Sequence, residues 1–245
     1  MSETQLQYID VQDTSSLAYT LWRPEVCAIS IFLYLSTIYT IRKVMANRGE
    51  FQLKNAMRVY NLAQVLLCGY MCYGLVRNPF TNFFRVNTPY AQDAEYFLFV
   101  HYLSKWLDYF DTVFMCLRKK DRQITTLHVF HHASIPAIWS ILLYNQQAFG
   151  TTTLGAFANS AIHVIMYSHY FITSFGINNP FKKVVTQAQL MQFAILIVHS
   201  CVALVFETEI KRELCFLQTV YQVIMLSMFG SFYKKSYTKP TKKVA

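Results

Sequence analysis

The chain has 245 residues, of which 54% are hydrophobic and only 14% are Asp, Glu, Lys or Arg. That balance excludes an ordinary soluble domain and is typical of a polytopic membrane protein. The net charge of +9 would also suit a nucleic-acid-binding protein. We find no nucleic-acid motif and expect no nucleic acid as a partner, because basic residues between apolar stretches usually report membrane topology.

Seven apolar stretches are each long enough to cross a bilayer as a helix. Pro24 favours a helix start just before the first stretch, and Pro136 inside the fourth predicts a kink. We therefore predict an all-α fold with an N-terminal lumenal segment (1–24), a seven-helix transmembrane domain (25–233) and a basic cytosolic tail (234–245). The predicted spans cover residues 26–41, 59–76, 94–117, 124–144, 149–173, 184–206 and 214–232.

Lysine and arginine are divided unevenly between the two sides of the predicted membrane domain. The loops after spans 1, 3 and 5, together with the tail, carry 16 of them, against five on the other side and Lys105 within span 3. The positive-inside rule therefore predicts a cytosolic C-terminus and a lumenal N-terminus. Lys242 and Lys243, fourth and third from the C-terminus, are typical of a dilysine retrieval signal for the endoplasmic reticulum, which requires a cytosolic tail.

The fourth span carries three histidines, His128, His131 and His132. Residues at positions i, i+3 and i+4 share one face of a helix, so the three imidazoles project into one small volume. An imidazole can act as a base, a nucleophile or a metal ligand near neutral pH, and polar groups inside a bilayer are costly. We therefore interpret the cluster as a reaction centre rather than as three histidines satisfied separately by packing.

Three further spans carry polar residues at a similar depth. A helical rise of about 1.5 Å per residue puts most of them roughly 9 to 20 Å from the predicted cytosolic side. Structural alternatives stay open, since Lys105 and Asp108 could simply neutralise each other and the span 6 amides could bond helices together. The residues are Lys105, Asp108 and Asp111 in span 3, Asn159 and His163 in span 5, and Thr186, Gln189 and Gln192 in span 6.

These motifs, in this order, resemble those of the ELO family of very-long-chain fatty acid elongases, which are membrane 3-ketoacyl-CoA synthases of the endoplasmic reticulum. The motifs extend over residues 105–192, and the seven-span pattern extends the likeness over nearly the whole chain. The chain departs from the family pattern at Asp108, where Glu is usual, and at His169-Tyr170, where two tyrosines are usual. The four motifs are Lys105-x-x-Asp108-x-x-Asp111-Thr112, His128-x-x-His131-His132, Asn159-x-x-x-His163-x-x-Met166-Tyr167 and Thr186-x-x-Gln189-x-x-Gln192.

The resemblance implies a fold in which spans 2 to 7 surround a narrow acyl tunnel and span 1 packs outside them. It implies condensation of a long-chain acyl-CoA with malonyl-CoA to give 3-oxoacyl-CoA, CO2 and CoA, with no metal and no cofactor beyond these substrates. The implied partners are the lipid bilayer, a second copy in a homodimer, and the ketoacyl-CoA reductase, dehydratase and enoyl reductase of the elongation cycle.

No cysteine accompanies the histidine cluster in the sequence, so we expect His131 to attack the thioester and form an acyl-imidazole, as the resemblance also implies. His128 and His132 would orient it or shuttle protons, Asp111 would fix a tautomer, and the Asn and His of span 5 would polarise the malonyl thioester. The catalytic candidates are Lys105, Asp108, Asp111, His128, His131, His132, Asn159 and His163. The substrate-binding candidates are Tyr167, His169, Tyr170, Thr186, Gln189 and Gln192, with the basic residues Arg118, Arg122, Lys182 and Lys183.

Two other classes of membrane protein remain compatible with the sequence. A di-iron desaturase or hydroxylase also uses a His-x-x-His-His box, although two metals need several boxes and this chain has one box among seven histidines. A seven-helix receptor or proton-coupled transporter would also bury Lys, Asp and His. Bound iron would favour the first class, and CoA release from acyl-CoA and malonyl-CoA would exclude both.

Overall fold

The computed structural model describes residues 16–77, 91–147, 150–208 and 210–238, and the side chains from residue 95 onward in the second range. Within these ranges the regular structure is helical, without a strand. The α-helices described there are α1 (Leu17–Trp22), α2 (Pro24–Met45), α3 (Lys54–Val76), α4 (Ala91–Leu107), α5 (Tyr109–Leu117), α6 (Thr126–Tyr144), α7 (Thr153–Thr173), α8 (Lys182–Phe206) and α9 (Arg212–Tyr237). The dilysine pair and residues 1–15 of the predicted lumenal segment lie outside the described residues.

Helices α2, α3, α8 and α9 are the four, among the described residues, that are long and apolar enough to cross a membrane. The chain is therefore a multi-pass membrane protein. Helices α6 and α7 have 19 and 21 residues, which at 1.5 Å per residue gives each about 30 Å, the thickness of a bilayer core. Their histidines lower their mean hydropathy, so composition alone does not mark these two helices as spans. The count of seven spans and the barrel-like arrangement stay predictions.

The third predicted span is interrupted at Asp108, which separates α4 from α5. The Asp111 amide donates to the Asp108 carbonyl, three residues back, at 3.2 Å, so a tight 3-10 turn joins the two helices. The Leu107 carbonyl accepts a hydrogen bond from the Tyr60 hydroxyl at 3.2 Å. The sequence predicts a span over 94–117 and does not indicate this turn, since no Pro or Gly marks it.

The helix ends gather at two ends of the bundle, and one of these, which we call the basic end, holds the loops that the positive-inside rule assigns to the cytosol. The Phe51 amide donates to the Leu117 carbonyl at 3.0 Å, and Arg58 donates to the Ser174 carbonyl at 3.1 Å. The start of α8 also contacts the end of α9. The loops after α2, α5 and α7 and the end of α9 therefore lie together, as the topology predicts.

Pro24 begins a helix, as the sequence predicts, and Pro136 lies inside a helix that continues past it. Helix α2 begins at Pro24, whose missing N–H costs nothing at a helix start. Helix α6 continues through Pro136 to Tyr144. At the end opposite the basic end, Trp22 is only 1% exposed and its carbonyl accepts from the Ser140 hydroxyl at 2.7 Å, so α1 is fixed against α6.

Two glycines on α3 provide a matched test of this packing. A Cβ at Gly74 would meet the ring of Phe97, which the rings of Tyr70 and Tyr96 flank, whereas a Cβ at Gly69 would meet nothing within 4 Å. Both Gly→Ala changes gain about 1 kcal/mol of helix propensity. We expect Gly74→Ala to be about 1–3 kcal/mol less stable than Gly69→Ala in detergent unfolding, because the ring must move. Equal stability of the two variants would contradict this packing.

Candidate active site

The start of α6 sets the direction of the histidine cluster. The Thr125 side chain caps the helix by accepting a hydrogen bond from the His128 amide at 3.2 Å. The ring centroid of His132 lies 4.2 Å from that of His128 and 5.3 Å from that of His131. The prediction that the three imidazoles share one small volume is therefore confirmed.

Helix α5 contributes the first partner of this cluster. The Thr112 hydroxyl lies 2.8 Å from Nε2 of His128 and is 0% exposed. Thr112 ends the motif that begins at Lys105, so the motif on span 3 and the histidine box on span 4 are in direct contact.

Lys105, near the end of α4, and Asp108, in the turn after it, form a buried ion pair. The Lys105 ammonium donates to Asp108 Oδ2 and to Asn159 Oδ1, both at 3.0 Å. Lys105 and Asp108 are 1% and 2% exposed. The two residues neutralise each other, as the structural alternative proposed, and the same ammonium also joins α4 to α7. The pair therefore both balances charge and positions Asn159.

Tyr167 of α7 lies between the two carboxylates. Its hydroxyl is 2.7 Å from Asp111 Oδ2 and 3.1 Å from Asp108 Oδ1, within hydrogen-bond distance of both. The Gln64 amide donates to Asp108 Oδ1 at 2.8 Å and lies 3.0 Å from the Tyr60 hydroxyl. The described hydrogen bonds of Asp111 run to Tyr167 and not to an imidazole, so the expectation that Asp111 fixes a histidine tautomer is corrected. In the described structure, the hydroxyl of Thr112, next to Asp111 in the chain, contacts an imidazole instead.

The histidines of α6 and α7 lie near the same charges. His131 and His163 interact electrostatically with each other and with Lys105 and Asp108. The His163 Nδ1 atom is 3.9 Å from Asp108 Oδ2. The cluster therefore brings together groups from α4, α5, α6 and α7, in agreement with the predicted meeting of spans 3, 4 and 5.

Helix α3 supplies residues that the sequence reasoning missed. Tyr60 and Gln64 are one turn apart on a face of α3 that points into the carboxylate network. Their i, i+4 spacing inside an apolar span is the signal that could have found them. Cys68, one turn further along the same face of α3, is 2% exposed. A buried thiol therefore lies one turn from Gln64, which the sequence did not indicate.

The motif on α8 is less closely attached to the cluster. Gln189 donates to the Met166 sulfur on α7 at 3.7 Å. The Thr186 hydroxyl lies 3.4 Å from that of Tyr237, and Gln192 is buried. The described contacts of Thr186 and Gln189 thus join α8 to its neighbours α7 and α9, which is the helix-bonding alternative for these polar groups.

The other substrate-binding candidates lie toward the basic end. The Tyr170 ring is 6.0 Å from the Tyr167 ring, and His169 is buried next to it. The four basic candidates lie where helices begin or end: Arg118 follows α5, Arg122 lies in the turn before α6, and Lys182 and Lys183 begin α8.

Metal binding and the predicted tunnel can be compared with the same geometry. Among the described residues, no group of three or more His, Cys, Asp and Glu side chains is arranged to hold a metal ion. A cavity of about 40 Å³ lies between α6, α7, α8 and α9 near the end opposite the basic end. Its lining includes Trp139, whose ring is 4.8 Å from His101, but none of the catalytic candidates. A continuous acyl tunnel therefore remains a prediction.

A multi-pass helical membrane protein with imidazoles and carboxylates clustered between its helices is the class that this fold and site define. The family model "ELO: GNS1/SUR4 family" matches residues 19–245. The chain is 41% identical over 210 residues to "Fatty acid elongase 5" of Leishmania major, covering 86% of this chain and 84% of that one. It is 36% identical over 219 residues to "Very long chain fatty acid elongase 5" of Xenopus tropicalis, covering 85% and 74%. The chain belongs to the ELO (GNS1/SUR4) family.

The buried ion pair gives a stability prediction. Replacing Lys105 by Met leaves the Asp108 carboxylate without a cation, which should cost about 3–5 kcal/mol of unfolding free energy. The double variant Lys105→Met/Asp108→Asn removes both charges and should recover part of that loss. Lys235→Met, which removes an exposed lysine, is the control. Thermal unfolding in detergent measures all three, and a Lys105→Met variant as stable as the control would contradict the pair.

Proposed function

We propose that this chain is a fatty acid elongase that condenses a long-chain acyl-CoA with malonyl-CoA, giving 3-oxoacyl-CoA, CO2 and CoA. The names of the relatives support elongation. Two features of the structure support the chemistry: a cluster of imidazoles between helices that also carry apolar surface, and basic residues at the end of the bundle nearest the cluster, where CoA phosphates would be attracted.

The accessibility of His131 is the observation that supports this mechanism most directly. His132 and His163 are buried, and His128 uses Nε2 in its contact with Thr112. His131 is half-buried, and its side chain has no hydrogen bond in the part of the chain that the structure describes. It is therefore the imidazole of the cluster that is both reachable and unengaged, as a nucleophile must be.

In the proposed reaction, a His131 nitrogen attacks the acyl thioester carbonyl, the C–S bond breaks, and CoA leaves as the thiol with the proton of the imidazole. Malonyl-CoA then loses CO2, and the resulting enolate carbon attacks the acyl-imidazole, forming the new C–C bond and breaking the C–N bond to His131. The departing His131 nitrogen takes up the one proton that the overall reaction consumes. On this proposal Asn159 and His163 polarise the malonyl thioester, and Lys105 holds Asn159. Tyr167 and the carboxylates, on this proposal, keep that arrangement rigid.

Location and partners follow from the same proposal. We place the protein in the endoplasmic reticulum membrane with a lumenal N-terminus and a cytosolic C-terminus, which the lysine and arginine bias supports. Its substrates would reach the site from the basic end, and its product would pass to the reductase and dehydratase steps of the cycle. A homodimer fits the many exposed apolar residues of α2, α3 and α8, although lipid covers such surfaces equally well.

The nucleophile can be tested against the buried thiol of Cys68, which lies one turn from Gln64 on α3. We expect His131→Ala to lower CoA release from acyl-CoA plus malonyl-CoA by at least about 10³-fold, as loss of a nucleophile does elsewhere. Cys68→Ala should retain most activity. With acyl-CoA alone, the wild-type chain should gain the mass of one acyl group, and His131→Ala should not. Full activity of His131→Ala, or acylation that is lost only in Cys68→Ala, would overturn the mechanism.

The far cavity predicts where the acyl chain ends. A Cβ at Gly155 would lie at an ordinary 3.7 Å from the Gln218 side chain, so a side chain can begin there without a clash and extend toward the cavity. Displacing two methylenes at about 0.8 kcal/mol each should shift the preference of Gly155→Leu toward acyl chains two carbons shorter by roughly tenfold. The control is Gly230→Leu, where a Cβ meets nothing within 4 Å. Product chain lengths from purified protein measure both, and an unchanged Gly155→Leu profile would show that the acyl chain does not reach this cavity.

A further inference from the structure

A line of hydroxyl groups connects α2 to the histidine cluster. The Tyr34 hydroxyl lies 2.9 Å from Oγ1 of Thr112, which in turn lies 2.8 Å from Nε2 of His128. Tyr34 is 4% exposed and Thr112 is 0% exposed. The family resemblance places α2 outside the six-helix bundle, so a side chain of α2 within two hydrogen bonds of an imidazole was not expected.

The order of the protons along this line is fixed by its outer end. Among the described residues, Thr112 is the partner that the structure gives to the Tyr34 hydroxyl. A buried O–H group needs an acceptor, so Tyr34 donates to Thr112. The Thr112 hydroxyl is then free to donate to His128, and Nε2 must accept this hydrogen bond with its lone pair. In the reverse order His128 would donate to Thr112, Thr112 to Tyr34, and the Tyr34 proton would have no described acceptor.

We propose that Tyr34 is a positioning residue that acts through Thr112 to hold neutral His128 in the tautomer with its proton on Nδ1. Nε2 of His128 is then an engaged acceptor and does not exchange protons with a substrate. His128 orients the cluster, which leaves proton transfer to the other imidazoles. The catalytic meaning of this assignment rests on the proposed function, whereas the tautomer itself does not.

The surroundings of Tyr34 suit a positioning role. Its ring stacks on that of Tyr109 with centroids 4.2 Å apart and an angle of 16° between the planes. On its other side the ring lies 6.4 Å from that of His132. The packing of the ring therefore helps to hold the hydroxyl at Thr112.

The tautomer can be measured without any reaction. The full chain, labelled with 15N in its imidazoles, is studied in nanodiscs at a pH where histidine is neutral, and a His128→Gln variant identifies the His128 signals. We expect Nε2 of His128 to give the signal of an unprotonated, hydrogen-bonded nitrogen. In Tyr34→Phe the same residue should give a mixture of both tautomers. A protonated Nε2 in the wild-type chain, or a Tyr34→Phe spectrum identical to wild type, would overturn the proposal.

Kinetic measurements distinguish the hydrogen bonds from Tyr34 through Thr112 to His128 from a role of α2 in packing alone. We expect Tyr34→Phe to lower kcat about tenfold, the scale of one buried hydrogen bond, with little change in KM. Thr112→Val should lower kcat at least as much, Thr112→Ser should retain it, and Tyr34→Phe should have no further effect in the Thr112→Val background. Tyr39→Phe, an exposed tyrosine of the same helix, is the control. If the effects of the Tyr34 and Thr112 substitutions multiply independently, the coupling through Thr112 is overturned. A wild-type chain without condensation activity would contradict the proposed function and leave the spectroscopic result standing.

Discussion

The cost of holding a carboxylate between membrane helices constrains the rest of this structure. Asp108 is 2% exposed, and an isolated ion at that depth would be too unfavourable to persist. It is stabilised by the Lys105 ammonium at 3.0 Å and the Gln64 amide at 2.8 Å, from α4 and α3. Since such a pair is favourable only with good geometry, α3, α4 and α7 must keep one register, and the fold and the site become the same problem.

The cluster has two halves that meet on one short segment. Asp108 lies in the turn that joins α4 to α5, and Thr112 lies four residues later on α5. Asp108 belongs to the half built from carboxylates, Lys105 and Tyr167, whereas Thr112 contacts the imidazoles of α6. A displacement of this segment would therefore disturb both halves together.

The sequence was informative where contacts are local and weak where they cross helices. The spacing of His128, His131 and His132 predicted their shared face, and the i, i+3 spacing of Lys105 and Asp108 predicted their pair, because helical geometry alone decides both. The partners on α2 and α3 lie 44 to 78 residues away in the chain from the groups they contact, and no periodicity carries that information. The break at Asp108 was missed for the same reason, since neither Pro nor Gly marks it. The count of seven spans stays a prediction, because the polar residues of the site reduce the hydropathy of α6 and α7.

The two halves also differ in how completely their polar atoms are paired, and this difference indicates where chemistry belongs. The Lys105 ammonium and the Asp108 carboxylate find hydrogen-bond partners in the described structure. The buried Nδ1 atoms of His132 and His163, in contrast, have no hydrogen-bond partner among the described residues. Buried polar atoms are rarely left in this state by packing alone. The carboxylate half therefore suits a supporting role, and the imidazole half keeps the hydrogen-bonding capacity that the proposed acyl transfer requires.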